Sequence, residues 1–189
     1  MATESIQPKN KIHPHKFTLW VGIGSIVMMF AGLTSAYVVK RSQANWQSFE
    51  LPQAFWYSTI IILASSATIH LSAKAFKERL MAKYRRLLFV TLVLGVLFVV
   101  TQYVGFSDLW RNGFTLQSSV SYSFLYVIVG LHGFHVVGGV IALMVMSLKT
   151  TFSTKQRNYS IVPVELISTY WHFVDVLWIY LLLFLIAIR

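Results

Sequence analysis

Five long apolar segments run through this chain of 189 residues and restrict what it can fold into. Each has about 20 to 25 residues, which matches a helix that crosses the hydrocarbon layer of a bilayer. Only 12% of the residues are charged, about half the share that is typical of soluble domains. We therefore predict an all-α, polytopic membrane helix bundle with five transmembrane helices. The spans are expected at residues 17–39, 54–73, 87–106, 122–146 and 164–188.

The rest of the chain is short and polar, so we expect a single membrane domain. Residues 1–16 are predicted to form a polar, basic tail and residues 17–189 the five-helix domain. The first apolar segment is too long for the apolar region of a cleavable signal peptide, so none is expected. The chain contains no cysteine, which excludes disulfides and thiolate-ligated zinc, iron–sulfur or copper sites.

Lysine and arginine concentrate in alternate connections between the apolar segments. Of the sixteen, three lie in the N-terminal tail, six in residues 74–86 and three in residues 148–163, and four lie on the opposite side. Because basic loops stay in the cytoplasm, this bias predicts a cytoplasmic N-terminus and an external C-terminus. The net charge of +10 is therefore assigned to contact with anionic lipid and not to nucleic-acid binding. The residues expected to contact headgroups or another subunit are Lys74, Lys77, Arg79, Lys83, Arg85 and Arg86.

Asp175 is the only acidic residue deep inside an apolar segment. An ionised carboxylate in hydrocarbon costs at least about 2.5–3.5 kcal/mol, so it needs a partner, a proton or water. At helical spacing, His132 and His135 share one face of the fourth segment. Glu165, His172 and Asp175 share one face of the fifth. Since the rise of an α-helix places Asp175 and His135 at similar depths, we hypothesise a pair between Asp175 and a histidine of helix four.

Three interpretations of these buried polar residues stay open at this point. A di-metal site would combine the two helix-four histidines with His172 and Asp175, but such sites usually contain more carboxylates at one depth. A proton relay or transport site would use the same residues. In the third interpretation the side chains hydrogen-bond across helices and fix their packing. A bis-histidine haem is disfavoured, because His132 and His135 lie three residues apart on one helix.

Two motifs resemble a known family. One is GLHGFHV at residues 130–136, which is followed by a pair of glycines, and the other is WHFVDVLW at residues 171–178, with Glu165 shortly before it. In this order they closely resemble subunit III of the haem–copper oxidases, in the short bacterial form that has five helices. The sequence departs from that family at Ser25, which is followed by Ile26 where members commonly carry a glutamate.

The resemblance implies a non-catalytic subunit of a bacterial aa3-type oxidase, which reduces O2 to water, translocates protons and takes electrons from cytochrome c or quinol. It implies no metal or haem in this chain, with haem a, haem a3 and copper in partner subunits. The implied partners are subunits I and II, phospholipids held in a cleft and, as further options, subunit IV and a respiratory supercomplex. The implied location is the bacterial plasma membrane, and the implied roles are assembly, stability during turnover and rapid proton uptake.

Under this interpretation the buried polar residues hold helices four and five together. Gly138 and Gly139 are expected to allow close approach of a neighbour, and Trp171 and Trp178 to pack against a lipid or another helix. Two alternatives stay open. One is the related five-helix protein of nitric oxide reductase systems, and the other is an independent membrane transporter or di-metal enzyme.

Overall fold

The computed structural model of the protein describes residues 14–42, 53–116, 118–152 and 161–188. These residues form five α-helices, all of them long and apolar enough to cross a membrane. The prediction of an all-α protein with five spans is therefore confirmed, and the chain is a multi-pass membrane protein. The helices are α1 (Pro14–Arg41), α2 (Gln53–Lys77), α3 (Met81–Arg111), α4 (Val120–Phe152) and α5 (Val162–Ile188).

The helices are longer than the apolar segments that predicted them. The 31 residues of α3 extend over about 46 Å at the rise of an α-helix, whereas hydrocarbon is about 30 Å thick. Hydropathy marks only the part of a helix that lies in hydrocarbon, and the backbone hydrogen bonds continue into the polar interface. At its other end the chain enters α1 at Pro14, inside the expected tail, where a proline needs no hydrogen-bond donor. Residues 1–13 of that tail lie outside the described residues.

A three-residue turn joins α2 to α3 and makes them an antiparallel hairpin. Arg79 adopts a left-handed conformation there, with φ of 61°. The amides of Arg79 and Leu80 donate hydrogen bonds to the carbonyls of Phe76 and Ala75, which satisfies the end of α2. A turn this short keeps the two helices adjacent, and they pack against each other.

Helices α2, α3, α4 and α5 form a closed four-helix arrangement, which we name the ring. Each helix packs against the next, and α5 returns to pack against α2. Helix α1 lies outside the ring, against α4 and α5, and its backbone does not approach α2 or α3. Of the most apolar part of α1 only 17% is buried, compared with 44% in α5. The core of the protein is therefore the interior of the ring.

The alternating course of the helices brings most basic side chains to one end of the bundle. Lys16 at the start of α1 and Lys77 at the end of α2 both meet Glu165 near the start of α5. Lys83 lies near the start of α3 and Lys149 near the end of α4. We name this the basic end, and it provides the frame for the sites described next.

Candidate functional site

Two tryptophans of α5 fill the centre of the ring. Trp178 is fully buried, and its indole nitrogen donates a hydrogen bond to Thr59 Oγ1 of α2 at 3.0 Å. Its ring meets Phe98 of α3 edge to face and stacks on His132 of α4, with ring centroids 5.4 and 5.2 Å apart. One side chain therefore contacts all three of the other ring helices.

Trp171 lies two helical turns earlier and forms a second layer. Its indole nitrogen donates to Ser65 Oγ of α2 at 2.9 Å. The indole lies against Gly95 of α3 and Gly139 of α4, where an added Cβ would come within 2.7 and 3.0 Å of it. The two glycines therefore admit a tryptophan ring, where close approach of a neighbouring helix was expected at Gly139. Trp171 and Trp178 pack against other helices, which was one of the two environments that the sequence left open for them.

Asp175 lies between these two layers, on the same face of α5 as both tryptophans. Only 2% of its surface is exposed, and neither carboxyl oxygen has a hydrogen-bond partner among the described residues. The Ser66 hydroxyl is near enough to interact with the carboxyl but does not reach hydrogen-bond geometry. The hypothesised pair with a histidine of helix four is therefore wrong. The polar neighbour of Asp175 is on α2.

The two histidines of α4 explain why that pair does not form. His132 has no exposed surface, and its ring is held between Trp178 and Phe98. His135 turns towards α1, where its ring lies 6.0 Å from that of Phe30, and its Nδ1 donates to the Leu131 carbonyl at 2.7 Å. A step of three residues leaves two side chains about 60° apart around a helix. That angle directs the two imidazoles to different neighbours.

A cavity of about 490 Å³ lies at the basic end between α1, α2 and α5, and we name it the basic cleft. Glu165 stands in its wall and accepts a hydrogen bond from Lys16 Nζ at 2.7 Å. Lys77 Nζ lies 3.8 Å from the other oxygen of the same carboxylate. The three residues link the start of α1, the end of α2 and the start of α5. All three are partly exposed, so each pair contributes at most about 1 kcal/mol.

His172 lines the same cleft two turns along α5 from Glu165. Its Nδ1 lies 2.7 Å from Ser66 Oγ of α2, within hydrogen-bond distance. Its ring lies 6.2 Å from that of His70, which also lines the cleft. The α5 face that carries Glu165 and His172 therefore meets α2 and the cleft, and not α4.

The six basic residues predicted to contact headgroups or another subunit are all exposed at the basic end. Two of them, Lys74 and Lys77, line the basic cleft, and the other four surround or follow the α2–α3 turn: Arg79, Lys83, Arg85 and Arg86. Gly138 is exposed, and an added Cβ there would lie 3.9 Å from the Tyr170 hydroxyl. Contact of these residues with lipid or another subunit stays a prediction.

The serines of α2 are the site residues whose role the sequence analysis missed. Ser58, Ser65 and Ser72 recur every seven residues, and all three are buried. Ser58 Oγ accepts from Gln102 Nε2 at 2.9 Å, and Ser72 donates to the carbonyl of Tyr84 at 3.3 Å. A period of seven residues places side chains on one helix face. The stripe was thus a readable signal of contacts to α3 and α5.

The donor groups of this core do not converge on a point. Among the described residues no three His, Asp or Glu side chains are close enough together to hold a metal ion. Of the four residues considered for a di-metal site, His135 bonds to its own helix and His172 bonds to Ser66. The interior of the ring is therefore suited to packing and to hydrogen bonds between helices.

Known proteins match this chain over most of its length. A family model described as cytochrome c oxidase subunit III matches residues 16–188. A probable cytochrome c oxidase subunit 3 of Nocardia farcinica is 34% identical over 183 residues, which cover 89% of this chain and 88% of the relative. The corresponding protein of Mycobacterium leprae is 32% identical over 193 residues, with 95% and 94% covered. A cytochrome c oxidase subunit 3 of Corynebacterium diphtheriae is 34% identical over 176 residues, with 84% and 83% covered. The family suggested by GLHGFHV and WHFVDVLW is confirmed, and this chain belongs to the cytochrome c oxidase subunit III family.

Proposed function

We propose that this chain is a non-catalytic subunit of a bacterial aa3-type terminal oxidase, which reduces O2 to water and translocates protons. It binds beside the catalytic subunit I, in a complex that also contains subunit II. Its roles are to support assembly, to keep the complex stable during turnover and to sustain proton uptake. Phospholipids bound to its surface contribute to that stability. Haem a, haem a3 and copper belong to the partner chains.

The interior of the ring carries the non-catalytic part of this proposal. Its largest side chains, Trp171 and Trp178, are fixed by hydrogen bonds to Ser65 and Thr59 and are closed off from solvent. A reaction centre needs space for a substrate and converging donor groups, and this packed interior supports a structural role. The names of the relatives favour an oxidase over a nitric oxide reductase system.

Purification of the tagged chain in mild detergent tests the proposal. We expect it to co-purify with a larger haem-bearing chain, with the optical bands of haems a and a3 in the complex. Metal analysis of this chain after separation from the complex should give far less than one metal per chain. Isolation without any haem protein, or with stoichiometric metal that is lost in His135→Ala, would contradict the proposal.

A second measurement addresses Asp175. In an assembled complex, Asp175→Asn is expected to keep the initial oxidase rate, because the residue lies in the interior of this subunit. The number of turnovers before inactivation is expected to fall. A complex that assembles fully but starts at a rate near zero would assign Asp175 to the chemistry.

The orientation proposed here places the basic end in the cytoplasm. The chain has no cysteine of its own, so single cysteines can report the topology. A membrane-impermeant thiol reagent added to the outside of intact cells should label Ser118→Cys and leave Lys83→Cys unlabelled. The reverse pattern would invert the orientation.

A further inference from the structure

The walls of the basic cleft carry more positive charge than the side chains around it neutralise. Three ammonium groups line it, those of Lys16, Lys74 and Lys77, together with the single carboxylate of Glu165. Glu165 engages Lys16 and Lys77, and Lys74 lies 4.0 Å from Glu78 on the exposed side of α2. Three ammonium groups and one carboxylate leave two positive charges within the walls. A ligand of complementary charge is an anion.

The imidazoles of the cleft add neutral hydrogen-bonding groups to this charge. His70 and His172 both line it, and their rings lie 6.2 Å apart. Since His172 Nδ1 faces Ser66 Oγ at 2.7 Å, its Nε2 is the nitrogen left for other partners. Ammonium and imidazole groups are the donors that a phosphate oxygen accepts from.

A second cavity of about 380 Å³ adjoins the basic cleft and is apolar. It lies between α1, α4 and α5, and both cavities are lined by Leu19 and Leu166. Gly138 and Ala142 of α4 form part of its wall and leave room there because they have little or no side chain. The hydroxyl of Tyr170, a polar atom in this wall, already donates to the carbonyl of His135 at 3.0 Å. Such a surface takes a hydrocarbon chain.

We propose that the two cavities together form a binding site for one anionic phospholipid. The phosphate lies in the basic cleft near Lys74 and His172, and an acyl chain passes Leu19 and Leu166 into the apolar cavity. The lipid enters from the leaflet at the basic end, between α1 and the ring. This inference rests on the proposed lipid-binding role and adds a location, a leaflet and a requirement for negative charge.

The headgroup requirement is tested by native mass spectrometry of the purified protein with whatever partner chains it retains. The probes are phosphatidylglycerol, phosphatidylcholine and oleate, each added to protein depleted of lipid. Lys74→Gln is compared with Lys83→Gln, which removes the same charge from the basic end outside the cleft. We expect Lys74→Gln to lower phosphatidylglycerol binding about fivefold and Lys83→Gln to leave it within twofold.

The chain requirement is tested by filling the apolar cavity. Ala142→Phe places a ring in its wall, whereas Val145→Phe adds similar bulk on an exposed face of the same helix. We expect severalfold weaker phosphatidylglycerol binding in the first variant only. Thermal denaturation of both variants shows whether the ring stays folded.

Three results would overturn the inference. They are equal binding of phosphatidylglycerol and phosphatidylcholine, equal effects of Lys74→Gln and Lys83→Gln, and tight binding of oleate with none of the phospholipid. The outcome is separate from that of the oxidase proposal. Selective binding by a chain that purifies without haem would retain the lipid site and reject the oxidase role, and a haem-bearing complex without selectivity would do the opposite.

Discussion

The ring and α1 differ in how their contacts are shared. Inside the ring, Trp171 and Trp178 each touch three other helices, so one side chain takes part in several interfaces at once. Helix α1 is attached by separate contacts along its length, such as the edge of Tyr37 against Phe184 and the ion pair of Lys16 with Glu165. Its small residues at Gly24 and Gly32 have open space around them.

This difference predicts how damage spreads. In lipid, helix association depends on packing and hydrogen bonds, because the acyl chains are as apolar as the side chains. Removing a shared side chain from the ring loses contacts with α2, α3 and α4 together. Removing one contact of α1 loses only that contact. Four substitutions separate the two cases, in order of decreasing expected effect.

Gly95→Leu should disrupt the ring most severely. A side chain here collides with the buried Trp171 indole, which has no room to retreat. Overpacking typically costs about 1–3 kcal/mol and more where neighbours are fixed, so we expect little folded protein. Gly130→Leu is the matched control, since nothing lies within 4 Å of an added Cβ there. Denaturation followed by tryptophan fluorescence in detergent measures both, and equal losses would contradict the tryptophan layer.

Trp171→Phe should cost about 1–3 kcal/mol of unfolding free energy, because it leaves the buried Ser65 hydroxyl without its donor and opens a small cavity. A double-mutant cycle with Ser65→Ala isolates the hydrogen bond. We expect a coupling of about 0.6–2 kcal/mol, the range for side-chain hydrogen bonds in membranes. A coupling near zero would show that the indole acts by its volume alone.

Tyr180→Phe removes a hydrogen bond between α1 and α5, and we expect a loss of about 0.6 kcal/mol or less. Its hydroxyl lies 3.1 Å from Thr34 Oγ1, which keeps a hydrogen bond to the Phe30 carbonyl at 2.9 Å. The same denaturation assay compares this variant with Trp171→Phe. A loss as large as that of the tryptophan variant would place α1 on the same footing as the ring.

Glu165→Gln should have the smallest effect on global stability, below about 1 kcal/mol, because the ion pairs are partly exposed. Its signature is local: faster hydrogen exchange in the first turns of α1, with α3 unchanged. High salt should bring the wild type towards the variant, since salt screens exposed pairs. Glu78→Gln, at an exposed pair within α2 and its turn, is the control and should leave α1 unaffected.

The number of helices was predictable because length and hydropathy alone define a span. The contacts between helices were not, because a helix that is apolar on all sides has no moment to show which face is buried. Asp175 illustrates this: its depth was estimated from the rise, but its rotation towards α2 depended on how α5 sits in the ring. The environment of Trp178 stayed open for the same reason. The Ser58, Ser65 and Ser72 stripe was the one rotational signal, and a period of seven made it readable.

The attachment of α1 to α4 and α5 has a consequence for biosynthesis. The helix translated first finds its partners only in the two translated last, whereas α2 and α3 can pair as soon as their short turn has left the ribosome. Until α5 arrives, α1 has to wait in the membrane without a partner from its own chain. A ribosome that stops before Val162 would leave an open α2–α3–α4 array and an unattached first helix, which is a substrate for quality-control proteases.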